Sequence, residues 1–167
     1  MKNRILSVRL SEDERNDQRG DEPAVPDVIL IRNQYPDAAA LHRVLDYAYR
    51  SGMIGGYAVD PVYAFREFML VKSAYQNIDG RQLLHFIVSF STTVAYRLSA
   101  DDMLALGYDI CHLFPGHQVV SALHMDSAHC HLHFVVNSVS FEDGKKHFSG
   151  FHDFFPVRDF LQECFPR

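Results

Sequence analysis

The sequence has no long apolar run, no surplus of basic residues and no cysteine pattern, and each absence excludes something. A membrane-crossing helix needs about 20 consecutive apolar residues. The chain is 47% hydrophobic, yet polar and charged residues interrupt every candidate run. Charge throughout the first residues argues against a signal peptide. The three cysteines, Cys111, Cys130 and Cys164, show no CxxC spacing, so neither a disulfide framework nor a zinc ribbon is indicated. A reducing cytoplasm is the expected setting, with no membrane partner. The formal net charge of −5 argues mildly against a nucleic-acid partner, because phosphate contacts normally come from excess Lys and Arg. A bound metal would supply positive charge locally.

Histidine is what the chain has, concentrated in one place. Between His124 and Asn137 the sequence reads HMDSAHCHLHFVVN, with VVSAL before it and FVV inside it. Residues i and i+2 of a strand share a face, so His131 and His133 project together. His129 joins them if the strand begins early. With Asp126-Ser127-Ala128 as the turn of an antiparallel hairpin, His124 returns beside them, and three imidazoles converge. Neutral imidazole is the commonest protein metal ligand. Three such ligands leave open coordination positions, as a catalytic centre requires. Asp126 is placed to accept the second ring N–H of a ligand histidine and fix its tautomer. Polar rings in an apolar strand each need a partner.

These residues resemble the signature of the conjugative relaxases, or mobilisation nucleases, of the HUH-endonuclease type with MobA/VirD2-like relaxase domains. That signature is His-x-Asp, a short turn, His-x-His and, after three intervening residues, Asn. The chain matches it at His124, Asp126, His131, His133 and Asn137. His129 is a reserve ligand. The family's nucleophilic tyrosine lies in an early helix, commonly followed by a glycine or basic residue. LDYAYRSG from Leu45 to Gly52 looks like that segment, with Tyr47 at the matching position and Tyr49 its nearest competitor. A strand carrying His-x-x-x-Ser-Phe also resembles His85, Ser89 and Phe90. The resemblance implies DNA-backbone contact or support of the site for His85 and Ser89; a core strand with two satisfied polar groups accounts for them equally well. An Asp-Gly-Lys turn in the family resembles Asp143-Gly144-Lys145, which makes Lys145 and Lys146 phosphate-contact candidates beside the plainer reading of a solvated tip.

The remaining pattern predicts an α+β fold, a central antiparallel sheet with helices packed on its faces. Residues 1–26 read as a polar arm with a short apolar run, Ile5 to Leu10, at its start, and residues 27–167 as the nuclease-like domain. VILI from Val28 to Ile31 is a strand. Asp37 caps a helix from Ala38 to about Ser51, with Leu41, Val44, Leu45 and Ala48 as its apolar stripe and Tyr47 beside it. Gly55 to Pro61 reads as a loop, leading to a helix capped by Asp60 whose apolar side is Val62, Phe65, Phe68, Met69 and Tyr75. Leu83 to Phe90 is a central strand. Ser91 to Leu98 reads as a loop that departs from the family in lacking Pro or Glu. Ser99 and Asp102 form a capping box for a helix ending at Phe114-Pro115-Gly116. His112 and His117 read as surface and loop residues, and a last helix is predicted from about Phe154 to Phe165.

The resemblance implies metal-dependent, strand-specific nicking and rejoining of single-stranded DNA at the transfer origin of a plasmid or integrative element. A 5′-phosphotyrosyl intermediate would form on Tyr47, and accessory relaxosome proteins would take part. Relaxases usually continue beyond this domain, so further chain past Arg167 is expected. Mg²⁺ prefers oxygen ligands, so Mn²⁺ is at least as well suited to the histidines, with Zn²⁺ permitted on affinity grounds. Three other readings stay open: an HUH replication initiator, a three-histidine metal hydrolase without a covalent intermediate, and a DNA-binding relaxase relative that does not cut. Whether Tyr47 faces the histidines or the core separates the last two from a relaxase; a replication initiator is hard to separate from one on this sequence.

Overall fold

A computed structural model describes residues 5–7, 25–32, 34–125 and 129–166. Its strands are β1 (Ile5–Ser7), β2 (Asp27–Ile31), β3 (Ile54–Tyr57), β4 (Leu83–Ser89), β5 (Val119–His124) and β6 (His131–Asn137). The helices are α1 (Ala38–Tyr49), α2 (Ala64–Ala74), α3 (Thr92–Ala95), α4 (Ala100–Cys111) and α5 (Phe155–Cys164). One antiparallel sheet, in the order β1-β2-β4-β6-β5-β3, organises the domain. The fold is therefore the α+β class expected, with the histidine-bearing hairpin inside the sheet.

Strand alternation divides the sheet into two unlike faces. On one face Leu84, Phe86, Val88, Leu123, Leu132, Phe134 and Val136 pack with Met103 and Ile110 of α4 and Val157 and Leu161 of α5. Phe86 and Phe134 stack at the centre of that core, with ring centroids 4.6 Å apart. Gly107 of α4 lies so close that an added Cβ would come within 3.2 Å of Leu132 Cδ2. On the other face α1 and α2 cover one end of the sheet. There Leu41, Leu45 and Phe68 close over Leu83, Val120 and Val135, and the C-terminal turn of α1, with Tyr47 and Ala48, reaches the histidine end.

Local signals set the helix starts. Asp37 accepts from Ala40 N at 2.8 Å, and Ser99 and Asp102 make the reciprocal capping box at α4. On α1 the stripe Leu41, Leu45 and Ala48 is buried and Tyr47 is 44% exposed. β1 pairs with β2 through Ile5 and Ile31, so part of the short apolar run at the chain's start adds a strand; residues 1–4 and 8–24 of the polar arm lie outside the described residues.

Four expectations need correction. Ile54–Tyr57 is an edge strand paired with β5, not loop. Its glycines serve close approach, since a Cβ on Gly56 would sit 2.5 Å from the Val59 carbonyl oxygen. The chain turns through a short 3-10 segment, Pro61–Tyr63, before α2, leaving Val62 64% and Tyr75 42% exposed. The buried side of α2 is instead Ala64, Phe68 and Lys72. Ser91–Leu98 holds a short helix, α3, capped by Ser91. His117 is buried rather than superficial, with Nδ1 donating to the Asn137 carbonyl at 2.8 Å.

Candidate active site

Strand register assembles the site. Asp27, Ser89, His131 and His124 form one row across β2, β4, β6 and β5. The next row is Ile29, Ile87, His133 and Ala122. Both rows face the side on which α1 lies, so the alternation that sends Leu132 into the core sends His131 and His133 to the opposite face to meet His124. One ring nitrogen from each of the three lies within 4.8 Å of the others. Around a single cation at about 2.1 Å such nitrogens sit roughly 3.4 Å apart, so small side-chain rotations would close the set.

The hydrogen bonds orient each ring. His131 Nδ1 donates to the His129 carbonyl at 2.9 Å and His124 Nε2 to the Ala48 carbonyl at 3.2 Å. A carbonyl can only accept, so in each neutral ring the lone pair stands on the other nitrogen. His133 Nδ1 meets His85 Nε2 at 2.9 Å. Among the described residues His133 Nε2 is buried without a hydrogen-bond partner, a cost a folded protein rarely leaves uncompensated and one that a cation would relieve. Burial, reinforced by the charge that His85, His131 and His124 would carry, pushes His133 down to about 2. Burial puts His85 at about 4. Both rings are therefore neutral at physiological pH, the form in which imidazole ligates a metal. The residues present fit a bound divalent cation.

The structure brings Tyr47 over this cluster. Its ring centroid is 5.3 Å from that of His124 and 5.4 Å from that of His133, meeting the latter edge-on. Arg50, one turn later on the same helix flank, holds its guanidinium carbon 5.6 Å from the Tyr47 ring centroid. Tyr49 turns the other way. Its hydroxyl donates to the Pro61 carbonyl in a short hydrogen bond, and burial pushes it up to about 12.

A family profile for relaxases, described as the MobA/VirD2-like nuclease domain, matches residues 46–164. The chain belongs to that relaxase family. A Staphylococcus aureus protein named Protein rlx is 33% identical over 107 residues, which is 63% of this chain and 33% of that protein. A second S. aureus Protein rlx is 32% identical over 85 residues, 50% of this chain and 25% of that protein. The relaxase chain thus spans a third or less of the length of these curated relatives. No solved structure matches it.

The other residues singled out in the relaxase sequence fall into three groups. Ser89 pairs with His131 in the site's outer row, and His85 lies beside His133 on the same face of the sheet, with Nε2 2.9 Å from His133 Nδ1. Asp126 lies outside the described residues. The third group is engaged elsewhere. Asn137 is fully buried at the far end of β6, donating to Gln118 Oε1 at 2.9 Å and to the Phe68 carbonyl. His129 offers its backbone carbonyl to His131, and its ring is not in the converging set. Lys145 is exposed, and Lys146 donates to the Asp79 carbonyl in the turn beyond that same far end. At about 3.3 Å per strand residue, these lysines are on the order of 20 Å from His131.

Three side chains of the site escaped the sequence reading. Asp27 opens an apolar strand, and strict alternation would have put it on the face of Ile29. Arg50 follows the tyrosine as the family's basic residue does. Tyr35, which bonds His85, carries no local signal, because it reaches the site from a turn.

Proposed function

We propose that this relaxase domain nicks and rejoins single-stranded DNA through Tyr47, at the transfer origin of a mobile element and together with accessory proteins. The observation that carries the reading is the position of Tyr47, exposed on α1 with its ring over His124 and His133. A tyrosine serving only the core would turn into the Leu41 and Leu45 stripe. Proximity of nucleophile and phosphate binder converts a bimolecular attack into an oriented one.

In this reaction Tyr47 Oη attacks phosphorus in line, forming a phosphotyrosyl bond as the bond to the 3′ oxygen breaks. The phenolic proton leaves and the released 3′ oxygen gains one, giving a free 3′-hydroxyl and a 5′-phosphotyrosyl end. Attack by a 3′-hydroxyl reverses the step with little loss of bond energy. A phenol ionises only near pH about 10 in water, so positive charge nearby is needed. Arg50 supplies one such charge beside the ring. His124, His131 and His133 would hold a divalent cation, which would supply Lewis-acid stabilisation of the charge on the scissile phosphate. The imidazole set favours Mn²⁺ or Zn²⁺ over Mg²⁺, which prefers oxygen.

Incubation with Mn²⁺ and labelled single-stranded oligonucleotides from the element's own transfer origin tests the reading. A covalent protein–DNA adduct on a denaturing gel, absent in Tyr47→Phe, is the expected result. Cutting with no adduct would instead support a three-histidine hydrolase. Retained adduct formation in Tyr47→Phe would exclude Tyr47 as the nucleophile.

A further inference from the structure

Beside the three histidines lies a chain of hydrogen bonds that nucleotide chemistry at Tyr47 does not use. Tyr35 Oη meets His85 Nδ1 at 2.9 Å, and His85 Nε2 meets His133 Nδ1 at 2.9 Å. The two imidazole planes are inclined by 30°, with centroids 5.2 Å apart. Tyr35 is 8% exposed and adopts φ 41°, a left-handed conformation unfavourable for a non-glycine residue. Its carbonyl accepts from Gln82 N at 2.9 Å, tying the turn to the start of β4 and directing the phenol at His85.

Each neutral imidazole has one donor and one acceptor nitrogen, so protons can be arranged along this chain in two ways. If Tyr35 donates to His85, then His85 Nε2–H donates to His133 Nδ1, and the proton of His133 must stand on Nε2. That nitrogen then has a buried N–H without a partner and cannot ligate. If Tyr35 accepts from His85 Nδ1–H, then His85 Nε2 accepts from His133 Nδ1–H, and the lone pair of His133 stands on Nε2, the partnerless buried atom. A phenolic oxygen can accept while its own O–H donates elsewhere.

We propose that Tyr35 and His85 are positioning residues for the metal centre: by accepting in sequence, they hold the proton of His133 on Nδ1 and keep its Nε2 lone pair directed at the cation. The proposal rests on the reading of His124, His131 and His133 as a cation site. It assigns His85 to this relay in place of a DNA contact. The relay reaches a ligand on the sheet from the turn before α1, so the segment that starts the nucleophile's helix also supports the metal.

The test uses the intact chain stripped of metal. Calorimetric titration with Zn²⁺ and Mn²⁺ should show affinity falling about 10- to 100-fold, the usual effect of losing a hydrogen-bond partner of a ligand, in Tyr35→Phe and His85→Leu. His85→Gln, whose amide oxygen can accept near the position of Nε2, should recover part of the loss. Because His85→Leu could fail to fold, ¹⁵N–¹H spectra of histidine-labelled wild type with Zn²⁺ give a second readout, with the His133 proton expected on Nδ1. Wild-type affinity in Tyr35→Phe and His85→Leu, or a His133 proton on Nε2, would overturn the relay and leave the cation site standing. Absence of Zn²⁺ and Mn²⁺ binding in wild type, or unchanged affinity in His124→Ala, would overturn the site itself and the relay with it.

Discussion

Replacing Lys72 by methionine should raise the stability of the domain at neutral pH and remove a pH dependence that wild type shows. Lys72 is fully buried beneath the sheet edge, where Nζ donates to the Gln82 carbonyl at 2.8 Å and to Ser138 Oγ at 2.9 Å. Burial, helped by the nearby charge of Lys146, lowers its pKa from 10.5 to about 7. In the unfolded chain the amine keeps its proton up to about pH 10.5, so between pH 7 and 10.5 the unfolded state binds more protons than the folded one. Stability therefore rises with pH across that window and is flat, with the full penalty present, below it. At about 1.4 kcal/mol per tenfold change in proton affinity, the displacement corresponds to about 5 kcal/mol, of which roughly 3 kcal/mol falls between pH 7 and 9.5. Methionine has similar length, fills the same space and brings no charge. Both acceptors stay occupied without the amine, because Ser138 Oγ donates to the Arg81 carbonyl at 2.7 Å and Ser138 N donates to the Gln82 carbonyl at 3.3 Å. Urea unfolding of wild type and Lys72→Met at pH 7, 8.3 and 9.5 checks this, since other titrating groups cancel in the difference. A difference that stays constant over the three pH values would refute the reasoning.

Arg50→Ala should lower the rate of adduct formation by about 10-fold or more, as expected for loss of a charge beside the reacting oxygen, while Zn²⁺ affinity by calorimetry stays at the wild-type value. His124→Ala should abolish both Zn²⁺ binding and cutting, and should lower the melting temperature of the metal-free protein only modestly, since the ring gives up a hydrogen bond to the Ala48 carbonyl and its contacts with Tyr47 and His133. Gly144→Ala should destabilise by about 2 kcal/mol or more in urea titration: φ is +71° and the added Cβ would fall 2.2 Å from Tyr75 Cδ1, combining backbone strain with overpacking.

The metal hairpin was legible because two patterns coincide there: alternation marks the strand, and the histidines occupy a single phase of it. Leu132 between His131 and His133 is what makes the phase readable. The caps at Asp37 and Ser99 were legible for the same local reason, one side chain serving an N–H two or three residues on. β3 was not, because Gly55-Gly56 signals a turn wherever the neighbouring strand is unknown, and only its pairing with β5 reveals glycine as a response to crowding. Lys72 and His117 contradict the usual exposure of their residue types, and their partners, Gln82, Ser138 and Asn137, are distant in sequence. The link from Tyr35 to His133 likewise spans separate elements, and neither residue announces the other. Asn137, by contrast, fitted a motif by spacing while its amide spends its donors on Gln118 and Phe68 at the opposite end of the strand.

Gly107 presses against Leu132 on the covered face, and Leu132 sits between two candidate ligands that point the other way. A methyl group added to α4 would therefore be transmitted through one strand thickness to His131 and His133, with no contact between α4 and the site. Substitutions at 107 and 132 are coupled as a pair: a larger residue on the helix is tolerated only with a smaller one on the strand, such as Gly107→Ala with Leu132→Val. Engineering of the cluster can begin from the core side, where fractions of an ångström in ligand spacing are set by the size of a single aliphatic side chain.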